Sequence, residues 1–191
     1  MFGTYNGVFI KRHDAETVRE REGKRPDGTP VKLGFSLAFA EDKRAPDIHF
    51  ATCQQHFPEN FWNSAFQKHA NSATGIAGVA LVAAEPERHR GFMQTFTGGE
   101  AIRSADGFSI ATPRGTIEMT APAAFSRRFG VAAPDTAGGA RLAAIRFTVV
   151  DASLLQNMPE LAGVAGLYAG NAALIGADDA MGAVIVFEPS R

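Results

Sequence analysis

Three stretches of the chain share one pattern: a run of β-branched, aromatic and small apolar residues closed by an acid. They are Tyr5 to Asp14, Ile76 to Glu85 and Leu142 to Asp151. Each predicts a strand, and each closing acid stands where a helix N-cap or first turn belongs. A helix is accordingly expected over Ala15 to Glu22, ended by Gly23. A second is expected from Glu87 to Phe96, behind Pro86 and ahead of Gly98-Gly99, with Phe92, Met93 and Phe96 on its buried face. A third, over Ala152 to Met158, is short or kinked because Pro159 does not fit a regular helix.

Strands follow each helix. The first unit offers Val31 to Ala40 and Ile48 to Gln55 around the charged turn Glu41-Asp42-Lys43-Arg44. The second offers Ala101 to Thr112 and Gly115 to Ala121, joined by Pro113-Arg114. The third offers Val164 to Ala169, Ala172 to Gly176 and Gly182 to Phe187. The repeat reads β-α-β-β-β, and the first copy is one strand short. The expected division is a partial module over 1–57, an aromatic connector over 58–73, a second module over 74–122, a linker over 123–139 and a third module over 140–191. The fold class is α+β.

Composition narrows the function. The chain has 191 residues, 45% hydrophobic and 20% charged, enough to bury a core. Lys plus Arg is 19 against 20 for Asp plus Glu, so no basic field points to nucleic acid. Cys53 is the one cysteine, which excludes an internal disulfide and suits a reducing, cytoplasmic setting. The first residues lack the pattern of a signal peptide. Leu161 to Ala177 falls short of the roughly 20 apolar residues of a spanning helix, so no membrane role is expected.

The richest local chemistry lies in Gln54-Gln55-His56-Phe57-Pro58-Glu59-Asn60-Phe61-Trp62. Amides, an imidazole and large aromatics at a strand exit suit a small-molecule site. Phe57, Phe61 and Trp62 would bury an apolar body while Gln54, Gln55 and His56 meet its polar end. Glu118 alternates with Ile117 and Met119 and so faces away from them. It is a candidate metal ligand or general base. His49 stands an odd spacing from His56 on the same strand, hence on the opposite face. Cys53 reads as a small buried hydrophobe, His13 as helix-cap chemistry, His69 as a loop residue and His89 as part of a solvated helix face. No helical zinc pair and no nucleophile elbow is present.

The three openings, with Gly115-Thr116-Ile117-Glu118-Met119 and Val184-Ile185-Val186-Phe187-Glu188-Pro189, resemble the vicinal oxygen chelate superfamily. That group comprises glyoxalase, bleomycin-resistance and dioxygenase proteins, and the nearest likeness is to its glyoxalase-like domain proteins. The strand exit from Cys53 to Trp62 adds to the likeness. The resemblance implies paired modules whose curled mixed sheets surround a cleft. It also implies a divalent metal held by a His, Gln or Glu of each first strand and a Glu near each last strand's end. The first-strand positions fall near Gly7, Gly78 and Ala144, none of which can bind metal. The last-strand positions fall on Glu118, near Val186 with Glu188 two residues on, and near Gln54 or Gln55 with His56 just after.

Two readings follow. The first is a lyase, isomerase or dioxygenase using Fe, Mn, Ni or Zn, with Glu118 and His56 as catalytic groups and metal ligands. The alternative is a metal-free protein that binds or sequesters a small molecule. In both, the incomplete first module predicts a homo-oligomer, most simply a dimer.

Overall fold

The computed structural model describes residues 2–5, 8–11, 18–62, 64–158, 161, 166–169 and 172–190. Its strands form two sheets. The larger has eight strands: β6 (Ala73–Val82), β7 (Ala101–Ser104), β8 (Gly107–Thr112), β9 (Gly115–Thr120), β10 (Arg141–Val149), β11 (Gly166–Ala169), β12 (Ala172–Ile175) and β13 (Val184–Pro189). They lie in the order β11-β12-β13-β10-β6-β9-β8-β7. In each half the first strand pairs parallel with the last, β6 with β9 and β10 with β13, and the other neighbours are antiparallel. The two first strands pair antiparallel at the centre, Ala80 opposite Ala144 and Gly78 opposite Arg146. Each half thus runs strand, helix, three strands, with a 3-10 helix in place of the α-helix in the second, and the two modules join edge to edge in a mixed sheet, the glyoxalase-like arrangement that the repeat predicts.

Helix α2 (Glu87–Thr97) covers the outer face of the first of these modules. Gly98, with φ of 71°, ends it in the left-handed conformation that glycine adopts without strain. Met93 packs there on Leu81, Phe108, Ile110 and Met119. A 3-10 helix, Ala152–Asn157, covers the same face of the other module through Leu155, Val149 and Phe187. Its cap is Asp151, whose carboxylate accepts the Ser153 backbone N–H at 2.8 Å. The bonds from Ser153 hold that carboxyl below its ordinary range.

The smaller sheet holds β1 (Phe2–Tyr5), β2 (Val8–Lys11), β3 (Val18–Lys24), β4 (Pro30–Ala40) and β5 (Phe50–Gln55). β4 pairs with β2 and β3 along one edge and with β5 along the other. Its far end meets the outer side of α2, where Phe50 packs edge-on against Phe92 and Phe96 at 4.9 and 5.5 Å between centroids. The helix expected over Ala15 to Glu22 is not found over its described part, since Val18 onward is β3. Arg19-Glu20-Arg21-Glu22 has helix-forming residues, but a seven-residue register with β4 overrides that weak preference. Asp14 and His13 lie outside the described residues.

Three further expectations change. The strand expected over Ala101 to Thr112 is split by a turn at Ala105-Asp106. The linker expected over 123–139 begins as helix α3 (Pro122–Phe129). Its signals were Pro122 in the first turn, Phe125 and Phe129 at i, i+4, and Gly130 closing it with φ of 70°. His89 is not solvated: it is 5% exposed, and its Nδ1 donates to Asp42 Oδ2 at 2.6 Å.

Candidate functional site

Residues opposite one another in a sheet share a face. Gly78, Ala80 and Val82 of β6, Thr116 and Glu118 of β9, Ala144 and Arg146 of β10, and Val184, Val186 and Glu188 of β13 therefore all face away from α2. This inner face is where the fold gathers side chains from both modules. Half of it is filled by α3. Phe125, 1% exposed, packs on Ala80, Val82, Ala144, Val184 and Val186, with Phe129 and Val131 beside it.

The other half carries charge. Arg146 reaches across β6 and donates from Nη1 to Glu118 Oε1 at 2.5 Å. On its other side it grips Glu188 with two bonds, Nη2 to Oε1 at 2.7 Å and Nε to Oε2 at 3.2 Å. Such a fork-to-carboxylate pair is among the stronger hydrogen-bonded ion pairs. Arg128 of α3 donates to the second oxygen of Glu118. The Arg146 side chain is 5% exposed, against 13% for Glu118 and 23% for Glu188. Arg146 was not singled out in the sequence, although an arginine inside Ala143-Ala144-Ile145-Arg146-Phe147 signals buried carboxylate partners.

The metal that the resemblance implies does not fit these residues. At Gly78 a Cβ would overlap the backbone carbonyl oxygen of Thr116, so no ligand side chain has room there. Ala144 is buried and carries only a methyl. Glu118 is already held by two guanidinium groups. Among the described residues no three His, Cys, Asp or Glu side chains gather as a metal site would need.

The segment Gln54 to Trp62 lies on the other sheet. Gln54 and Gln55 end β5 opposite Ser36 and Phe35. His56 Nε2 bonds the Ser36 hydroxyl at 2.8 Å, and the Phe57 ring lies over Gly34, with Lys32 Nζ 5.5 Å from its centroid. Helix α1 (Pro58–Phe61) follows, and Asn60 donates to the Lys32 carbonyl. Phe61 is half-buried and Trp62 is 57% exposed. The Arg114 guanidinium stands 5.4 Å from the Trp62 ring, at the turn that opens β9. The segment thus divides: Gln54 to Phe57 border β4, whereas Trp62 borders the strand that carries Glu118. Cys53 is exposed rather than buried, since among the described residues β5 pairs with β4 alone. His69 is exposed in the stretch before β6, and His49 is exposed before β5.

No family profile and no curated protein matches the chain. Solved structures do. A hypothetical protein from Staphylococcus aureus superposes with a TM-score of 0.56 at 9% identity, over 96% of this chain and 57% of that one. This chain therefore spans little more than half of that neighbour's length. A methylmalonyl-CoA epimerase from Mycobacterium tuberculosis matches with a TM-score of 0.48 at 17% identity, over 68% of this chain and 97% of that one. A second methylmalonyl-CoA epimerase gives 0.43 at 14% identity, over 62% and 97%. At 9% identity the likeness to the Staphylococcus aureus protein concerns the fold alone, and it is the strand order and pairing of the larger sheet that are glyoxalase-like.

Proposed function

We propose that the chain is a small-molecule binding protein of the glyoxalase-like fold, working without a divalent metal. The observation that carries this reading is Trp62: a large ring left half in solvent, with a guanidinium over it, beside the strand that leads to the inner face. Phe57 under Lys32 repeats the pairing of ring and cation. Such couples suit a ligand with a flat apolar body and a carboxylate or 2-oxo end. Gln54, Gln55 and His56 supply further polar contacts, and Phe61 backs the ring. A metal-dependent lyase, isomerase or dioxygenase would need donors that Gly78 and Ala144 do not supply, so Glu118 and His56 are not given those catalytic roles here.

Trp62 is the only tryptophan, so its emission reports this site alone. Titration with small aromatic carboxylates and 2-oxo acids is expected to change that emission saturably, and Arg114→Ala is expected to weaken binding about tenfold. Ligands that bind by calorimetry yet leave Trp62 emission unchanged would remove the site from this segment.

The same reading includes a two-fold dimer. Strand β3 protects its edge with Arg19, Glu20, Arg21, Glu22 and Lys24, whereas β5, Phe-Ala-Thr-Cys-Gln-Gln, carries no charge and is exposed from Ala51 to Gln54. An uncharged open edge is a template for pairing with a second copy. Sedimentation at micromolar concentration is expected to give twice the 20.3 kDa chain mass. Thr52→Lys is expected to return it to a monomer, and a wild-type monomer would refute the dimer.

A further inference from the structure

We propose that Glu118, Arg146 and Glu188 form a dicarboxylate cation site that is permanently filled by the chain's own guanidinium. The argument rests on geometry and burial. Two carboxylates from different modules, on β9 and β13, converge on one side chain from the strand between them in sequence, β10. That side chain is 5% exposed and spends three N–H donors on them. Its positive charge joins the two halves of the sheet across β6, as a bound cation would. It also denies the site to any other cation, because the Glu118 Oε1 and both Glu188 oxygens are already engaged.

Shortening Arg146 to alanine would uncover those three oxygens and leave a void the length of an arginine side chain. Carboxylate oxygens in a partly buried cleft are the ligands that hard divalent ions take, and open coordination positions are filled by water. Glu118 keeps its bond to Arg128, so without a replacement charge it is Glu188 that loses its guanidinium and the pair that is left one positive charge short, which is costly in a partly buried place. The proposal does not depend on any ligand at Trp62, and its test does not read Trp62.

The experiment uses Mn²⁺, whose free form is counted by its electron paramagnetic resonance signal, with thermal unfolding in parallel. The wild type is expected to bind no stoichiometric Mn²⁺ and to keep its Tm in a chelator. Arg146→Ala is expected to lose about 10 °C in Tm, to bind one equivalent of Mn²⁺ and to regain most of the loss. Arg146→Met, which fills the void without charge, and the neutral triple variant R146A/E118Q/E188Q are expected to bind none. If Arg146→Ala does not fold alone, it is refolded in millimolar Mn²⁺ beside the triple variant. Folding only with the ion supports the proposal. An R146A chain that fails to fold even with Mn²⁺, or that folds and binds no ion, overturns it. So does a wild type that binds one equivalent and loses it in Glu118→Gln.

Discussion

Replacing Asp42 by alanine is expected to cost about 2–3 kcal/mol of folding stability, the upper part of the range for leaving a buried hydrogen-bonding group without its partner. Asp42 is 4% exposed and uses both carboxylate oxygens: Oδ2 accepts from His89 Nδ1 at 2.6 Å, and Oδ1 accepts from the Arg44 backbone at 3.0 Å. The pair ties the turn after β4 to α2, beside Ala40, Ala45, Phe50 and Met93. It therefore fastens the smaller sheet to the larger. Arg88 and Glu85 provide the contrast. They pair at 2.9 Å with both side chains more than half exposed, and Arg88→Ala is expected to change stability by less than about 1 kcal/mol. Urea unfolding followed by far-ultraviolet circular dichroism checks both. The double replacement Asp42→Leu with His89→Phe is expected to recover a good part of the Asp42→Ala loss, since an apolar pair of suitable volume leaves no buried polar group without a partner. A loss below about 1 kcal/mol for Asp42→Ala would mean that the two sheets are held by the phenylalanine contacts alone.

The paired modules were legible because their signals are local and agree with one another. β6, β9, β10 and β13 are short apolar runs with turn residues on both sides, and α2 has proline before it and glycine after it. Each of these features acts within a few residues, so a sequence carries it openly. Where the reading failed, the deciding interaction was distant. Arg19 to Glu22 has helix formers, and only the partner strand β4 makes it extended. His89 sits among Glu87, Arg88 and Arg90, so its own helix calls it solvated, yet its partner lies 47 residues away. Glu118 and Glu188 were visible as acids at strand ends, but Arg146, which decides what they do, was passed over. Its partners stand 28 and 42 residues away in sequence. The linker expected over 123–139 failed differently: its glycine- and proline-rich second half masked the helix signals of the first. That error concealed the element that fills half of the inner face.

Phe125→Ala is the substitution that tests what α3 does there, with an expected loss of about 3–5 kcal/mol, as for other buried aromatics truncated to alanine. The ring is 1% exposed and packs against residues of β6, β10 and β13 at once, with the Phe129 ring 4.8 Å away between centroids. Removing it leaves a cavity bounded by Ala80, Ala143 and Ala144, whose side chains are too short to close it. Phe129 is only partly buried in the same cluster, so Phe129→Ala is expected to cost less than half as much. Two kinds of α3 would behave differently in this pair of measurements. A helix that forms part of the core gives the large, cooperative loss for Phe125→Ala, with one unfolding transition and slow amide exchange along α3 in the wild type. A helix that swings off the inner face to admit a ligand gives fast exchange over Pro122 to Phe129 in the wild type and a loss near 1 kcal/mol. The packing of Phe125 favours the first. The inner face beneath α3 is then closed to ligands, in keeping with the proposal that a small molecule binds at the edge marked by Trp62 and Arg114.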